Sequence, residues 1–142
     1  MKRFAAVLAG TAALAALTGV QSASANPVGV TVCGTPGAPN IVTVRACINV
    51  NGNHVYAFGR ANPSSPTWQE QQVSFRLSSI GITNPALGTV YPTVLISNVG
   101  PAPEIGSVTG TVPCGSTVTA EFSVTQPGWW ESTSTVSTVV NC

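Results

Sequence analysis

Few side chains in this sequence can carry chemistry, and none is spaced for it. His54 is the only histidine, Asp is absent, and the carboxylates are Glu70, Glu104, Glu121 and Glu131. A serine hydrolase needs a base oriented by a carboxylate. Here a Glu would have to serve, and there is no Gly-x-Ser-x-Gly elbow to present a nucleophile. His54 lies just past an Asn-Gly pair and reads as an exposed hairpin residue. A glycosidase needs two carboxyl groups facing each other across a cleft. Glu121 has the outward parity of its segment, Glu70 and Glu104 follow Pro-containing loops, and Glu131 follows a Trp pair. All four read as surface charges. No EF-hand, phosphate-cradling Gly loop or metal-spaced cluster is present. The expectation is a non-enzymatic protein with no cofactor and no metal.

Cys33, Cys47, Cys114 and Cys142 are even in number and follow an export-like N-terminus, which reads as two disulfides. A zinc site would want Cys-x-x-Cys spacing or more histidines. The sequential pairing, Cys33–Cys47 and Cys114–Cys142, closes two local loops and is the expected one. That leaves the aromatics as binding candidates. Trp129 and Trp130 follow Pro127-Gly128, a turn signal, so both sit at a hairpin tip. Neighbours on a strand point to opposite faces, which predicts one buried and one exposed indole. An exposed Trp can stack on a sugar ring, anchor a protein interface or dip into a membrane interface. Trp68 and Tyr91 are the candidates to extend such a surface.

The elements that must position these residues are strands. From Cys114 to Cys142, Val118, Ala120, Phe122 and Val124 alternate with polar residues, and Val136 and Val140 share their parity. A hairpin with Gly128 at its turn sets Cys114 opposite Cys142. Upstream, Val28–Cys33, Ile41–Val50, Gln72–Ile80, Thr89–Val99 and Ile105–Val112 are short Val/Thr/Ile-rich runs broken by Gly, Pro and Asn. Pro92 cannot donate to a ladder, so its run belongs at a sheet edge or bulge. Asn84-Pro85 begins a turn. Asn51-Gly52 is the strongest hairpin signal. Its register has two readings. One sets Val55 and Ala57 beside Ile48 and Ala46. The other, favoured because it gathers the large aromatics with the aliphatic stripe, sets His54, Tyr56 and Phe58 beside Ile48, Ala46 and Val44.

Residues 1–25 read as a secretory signal peptide, with basic Lys2 and Arg3, an Ala/Leu/Val core and a small-x-small site at Ala23-Ser24-Ala25. Residues 26–142 then form a single domain. Its charges are Arg45, Arg60 and Arg76 against the four Glu, a slight negative excess that gives nucleic acid no basic footprint. No transmembrane segment follows the signal.

The fold expected is all-β, an immunoglobulin-like antiparallel β-sandwich of about seven to eight strands with two disulfides. In size and disulfide number the chain is similar to the small enediyne-binding apoproteins and microbial protease inhibitors, although no cysteine motif of theirs carries over. The function expected is secreted, extracellular binding through loops or the Trp129-Trp130 tip. The partner would be an extracellular protein, a carbohydrate or a small molecule. The alternatives are an inhibitor of an extracellular hydrolase, presenting Gly34 to Ala46 as a braced loop, and a small-ligand carrier using a cleft between the sheets.

Overall fold

The computed structural model describes residues 29–81, 87–125 and 127–142. The expected signal peptide and the Asn84-Pro85 turn lie outside the described residues. The described residues are all-β, with two antiparallel sheets. The elements are β1 (Val30–Cys33), β2 (Val42–Asn51), β3 (His54–Pro63), β4 (Gln71–Gly81), β5 (Gly88–Val90), β6 (Thr93–Ile96), β7 (Glu104–Thr111), β8 (Thr117–Val124) and β9 (Ser132–Val139). One sheet runs β1-β2-β3-β7. The other runs β5-β4-β8-β9, with β6 also on β4.

The expected run Thr89–Val99 is two strands because Tyr91-Pro92 interrupts it. Its register on β4 nevertheless carries across the break: Leu77 faces Val90 and Ser74 faces Thr93. Phe75 N–H donates to the Pro92 carbonyl at 2.9 Å, so the interruption keeps its acceptor. Pro92 therefore stands at the outer edge of its sheet, between β5 and β6, where a missing donor costs little.

The core lies between the sheets and is built from one parity of each strand. Val42, Val44, Ala46 and Ile48 of β2 meet Val55, Ala57 and Ala61 of β3, all buried. Val73, Phe75 and Leu77 of β4 and Val118, Ala120, Phe122 and Val124 of β8 fill the facing side. Phe75 and Phe122 stack with centroids 5.0 Å apart.

This arrangement corrects both registers expected at Asn51-Gly52, since Ile48 and Ala46 lie beside Ala57 and Gly59. The pairs are Asn51 with His54, Val50 with Val55 and Ile48 with Ala57. The two turn residues are Gly52 and Asn53. Only Gly52 has positive φ, +59°, as a type II′ turn requires at its first central position. His54, Tyr56 and Phe58 thus lie on the outer face, and the small residues of β3 face inward. The physical reason is volume. At Gly59 an added Cβ would stand 2.3 Å from the Phe122 ring, so the two large aromatics of the second sheet occupy the space that aromatics on β3 would have needed. Phe58 is still buried, but beneath the outer surface. Its ring lies 5.2 Å from that of Tyr56, and the Arg60 guanidinium sits 5.4 Å above it.

Cys33 and Cys47 are direct register partners on β1 and β2 and are joined, with Cα atoms 4.1 Å apart. Cys114 and Cys142 are joined at the open end of the β8–β9 hairpin. Every pair from Thr117 with Val139 to Val124 with Ser132 follows the register that sets those two cysteines opposite each other.

Between Cys33 and β2 the chain forms a strap that seams the two sheets. Gly34 N–H donates to the Ala46 carbonyl and Gly37 N–H to that of Val44, both at 2.9 Å, so the strap stays on β2. Across it, Ser134 Oγ of β9 donates to the Thr35 carbonyl at 2.7 Å and accepts from Ala46 N–H at 3.0 Å. Ser132 Oγ donates to the Ala38 carbonyl. Ser132 and Ser134 have the inward parity of β9 and are buried. They are polar there because their neighbours are strap and strand backbone, which must be hydrogen-bonded when water is excluded.

Candidate functional site

The site assembles at the end of the sandwich opposite the Cys114–Cys142 bridge. Three connections meet there: the start of β2, the chain between β3 and β4, and the tip between β8 and β9. β8 ends at Val124 and β9 begins at Ser132. Trp129 and Trp130 therefore lie in the connection rather than on a strand, and strand alternation does not govern them. Both indoles are exposed, 50% and 62%, which corrects the expectation of one buried and one exposed. Their rings meet edge to face with centroids 5.8 Å apart. Such pairs contribute about 0.5–1.5 kcal/mol beyond area burial and limit the freedom of both side chains.

The tip is anchored on both sides. Asn40, buried, donates from Nδ2 to the Trp130 carbonyl and accepts the Ile41 N–H on Oδ1. On the other side Arg76 of β4 pairs with Glu121 and reaches Glu131, next to Trp130, at 3.6 Å. Where β8 runs out, Thr125 N–H donates to the Ser74 carbonyl at 3.0 Å. The tryptophans are presented by a short, pinned segment, which keeps the entropy cost of ordering them on binding small.

Trp129 and Trp68 both line a shallow groove of about 380 Å³. Trp68 is half-buried against the core, and its Nε1–H donates to the Ile96 carbonyl at 3.0 Å, fixing the plane of the ring. The remaining lining is uncharged and, apart from Ile41, polar, including Asn40, Thr67, Gln69 and Gln71. The turn that carries Thr67 is itself ordered: Ser65 Oγ lies 2.9 Å from Thr67 Oγ1 and accepts the Thr67 N–H.

Of the four aromatic candidates, Trp68 and Trp129 share the groove and Trp130 packs on Trp129. Tyr91 does not belong to it. It is 71% exposed in the break between β5 and β6. Sequence reasoning passed over Asn40, Gln69 and Gln71. Asn40 stood in a turn cluster and the glutamines stood beside a loop, so no periodic signal singled them out.

The other candidates are placed as follows. His54 is exposed and pairs with Asn51 across the β2–β3 turn. Glu104 binds Arg60 at 3.3 Å and accepts the Tyr56 hydroxyl at 3.2 Å. Burial, and then the Glu104 charge and hydrogen bond, raise the Tyr56 phenol above its ordinary value of 10.0. Glu121 and Glu131 converge on Arg76. A larger depression, about 510 Å³, lies over the outer face of the first sheet among Asn49, His54, Tyr56 and Thr109. It holds one phenol ring and no tryptophan. Among the described residues no helix is long and apolar enough to cross a membrane.

No family model matches the sequence, and neither a curated protein nor a solved structure matches it.

Proposed function

We propose that this protein is a secreted, non-enzymatic binding protein that takes its ligand at the tryptophan groove. The observation that carries this reading is the pair of exposed indoles on a segment pinned by Asn40 and Arg76. Large apolar rings left in water on an ordered support are what a recognition surface needs and what a purely structural loop avoids. Two braced local disulfides and an export-like leader suit an extracellular setting.

The architecture is consistent with the finer, immunoglobulin-like reading. With β3, β4, β8 and β9 in the places of strands B, C, F and G, the groove falls between the B–C and F–G connections. Variable domains recognise their targets with loops at that end. Fold analogy alone assigns no function, so the weight rests on the indoles.

Two further features favour the groove over the alternatives. The Gly34–Ala46 segment is engaged along β2 and β9 instead of projecting as an inhibitory loop. The space between the sheets, which a carrier would use, is filled by Phe75, Phe122, Leu77 and Ile48. The test is to replace Trp129 and Trp130 by Ala, singly and together, and to measure melting and binding in parallel. Binding is assayed against polysaccharides, secreted hydrolases and lipid vesicles. The expected result is loss of capture with only about 1–2 kcal/mol of stability removed per site, against about 3–5 kcal/mol for a core aromatic. Undiminished capture by the double variant overturns the reading.

A further inference from the structure

We infer that the ligand of the groove is a neutral glycan, bound by stacking a sugar ring on Trp129 beside Trp68. This rests on the groove being the binding site and goes on to name what fills it. Pyranose rings present a patch of C–H bonds on one or both faces and hydroxyls around the rim. They need an aromatic plane for the first and groups that both donate and accept for the second. The groove supplies both. Trp129 is half-exposed at its edge, and Trp68 is fixed in plane by its bond to the Ile96 carbonyl. Gln69 and Gln71 are exposed amides, each with an acceptor oxygen and two donor hydrogens. Thr67 also lines the groove.

Charge narrows the class. Among the described residues, no Arg, Lys, His or Glu lines the groove. Arg76, whose partner Glu131 adjoins Trp130, is engaged by Glu121 and Glu131. An anionic glycan or an anionic lipid surface would find no free positive charge here, and burying its charge without a partner would be costly. A neutral polyol suffers no such penalty. A volume of about 380 Å³ lies at the lower end of the ~300–1,000 Å³ range of small-ligand clefts. That suits a short stretch of a chain better than a branched cluster, and an open groove lets a polymer run through.

The experiment uses the secreted, oxidised protein with intact disulfides. Retention is measured on insoluble neutral polysaccharides (cellulose, chitin, xylan and mannan), on an anionic polysaccharide, on anionic vesicles and on immobilised secreted hydrolases. Each is run at low salt and in 0.5 M NaCl as a screening condition of about 4–5 Å Debye length. The variants are Trp129→Ala and Gln69→Ala/Gln71→Ala, each checked for an unchanged fold by circular dichroism and melting. The expected result is retention on at least one neutral polysaccharide, insensitive to salt. Trp129→Ala should weaken it by about tenfold to a hundredfold, the range for a stacking or hot-spot aromatic. The glutamine pair should weaken it less.

No retention on any neutral polysaccharide overturns the inference, as does retention that salt abolishes. Capture by hydrolases or vesicles alone, lost in Trp129→Ala, would leave the groove as the binding site and remove the glycan. Equal capture of wild type and Trp129→Ala on every surface would remove the groove itself.

Discussion

Replacing Gly59 by Ala tests the packing that sets the register of β2 and β3. The added Cβ would lie 2.3 Å from Cε2 of Phe122 and 2.4 Å from Cδ2 and Cζ. Carbon atoms rest about 3.5–4.0 Å apart, so the ring would have to retreat by more than about 1 Å. It has nowhere to go. Phe122 is fully buried and stacks on Phe75, also fully buried, at 5.0 Å. Over-packing of this kind costs about 1–3 kcal/mol, and a ring contact on three atoms belongs near the top of that range. Against it, Ala stiffens the unfolded chain and returns about 0.4–1 kcal/mol. The net expectation is a loss of about 2 kcal/mol. Urea unfolding with the disulfides intact reads it directly. Phe122→Leu in the same background makes room for the methyl, so the double variant should be more stable than the sum of the two single effects by about 1–2 kcal/mol. Additive effects, or a neutral or stabilising Gly59→Ala, would refute the reasoning. That outcome would put residue 59 on the outer face, where a methyl meets only solvent.

Three other tests probe separate parts of the protein. Ser134→Ala removes the hydroxyl that joins Ala46 N–H to the Thr35 carbonyl, leaving a buried donor unpaired. It should cost about 2 kcal/mol, whereas Ser137→Ala on the same strand, which removes only an exposed hydrogen bond with Thr119, should cost under about 1 kcal/mol in urea stability. Tyr56 ionises above 10.0 in the folded state, so folding favours its neutral form. Its contribution is intact below about pH 10 and lost as pH rises through the raised value; Tyr56→Phe should flatten that alkaline loss in a pH series of melts. Mass analysis of the exported protein should give Asn26 as its N-terminus, and non-reducing peptide mapping should link Cys33 to Cys47 and Cys114 to Cys142. An intact Met1 terminus or a Cys33–Cys114 link would contradict this.

The parts of the fold legible in the sequence are those where one strand face is buried and a turn is marked. In the β8–β9 hairpin, alternation from Val118 to Val124 and the parity of Val136 and Val140 leave one register that buries both sets. Pro92 marked an edge for a simple reason: it has no N–H. The β2–β3 hairpin was harder, because either parity of β3 offers apolar residues. The choice is made by Phe122 on another sheet, a tertiary contact that no local pattern reports. The inward serines of β9 were likewise opaque: a polar residue on a core face makes sense only once the strap is seen against it. The groove has the same character. Trp129 was visible as a tip, but its partnership with Trp68, Gln69 and Gln71 arises because the β3–β4 and β8–β9 connections meet at one end of the sandwich. Strand alternation also misdirected the Trp pair, since both residues stand where the strands have already ended.

The central claim is that a neutral glycan enters the tryptophan groove. The most direct measurement is an NMR titration of the indole Nε1–H signals of Trp68, Trp129 and Trp130, assigned by single Trp→Phe variants. The titrants are soluble cello-, chito-, xylo- and manno-oligosaccharides. The account predicts that one of them shifts the Trp129 and Trp68 signals in a saturable way, together with the side-chain amides of Gln69 and Gln71. Shifts confined to the depression around Asn49, His54 and Tyr56, or tryptophan signals unmoved by any of them, would contradict it.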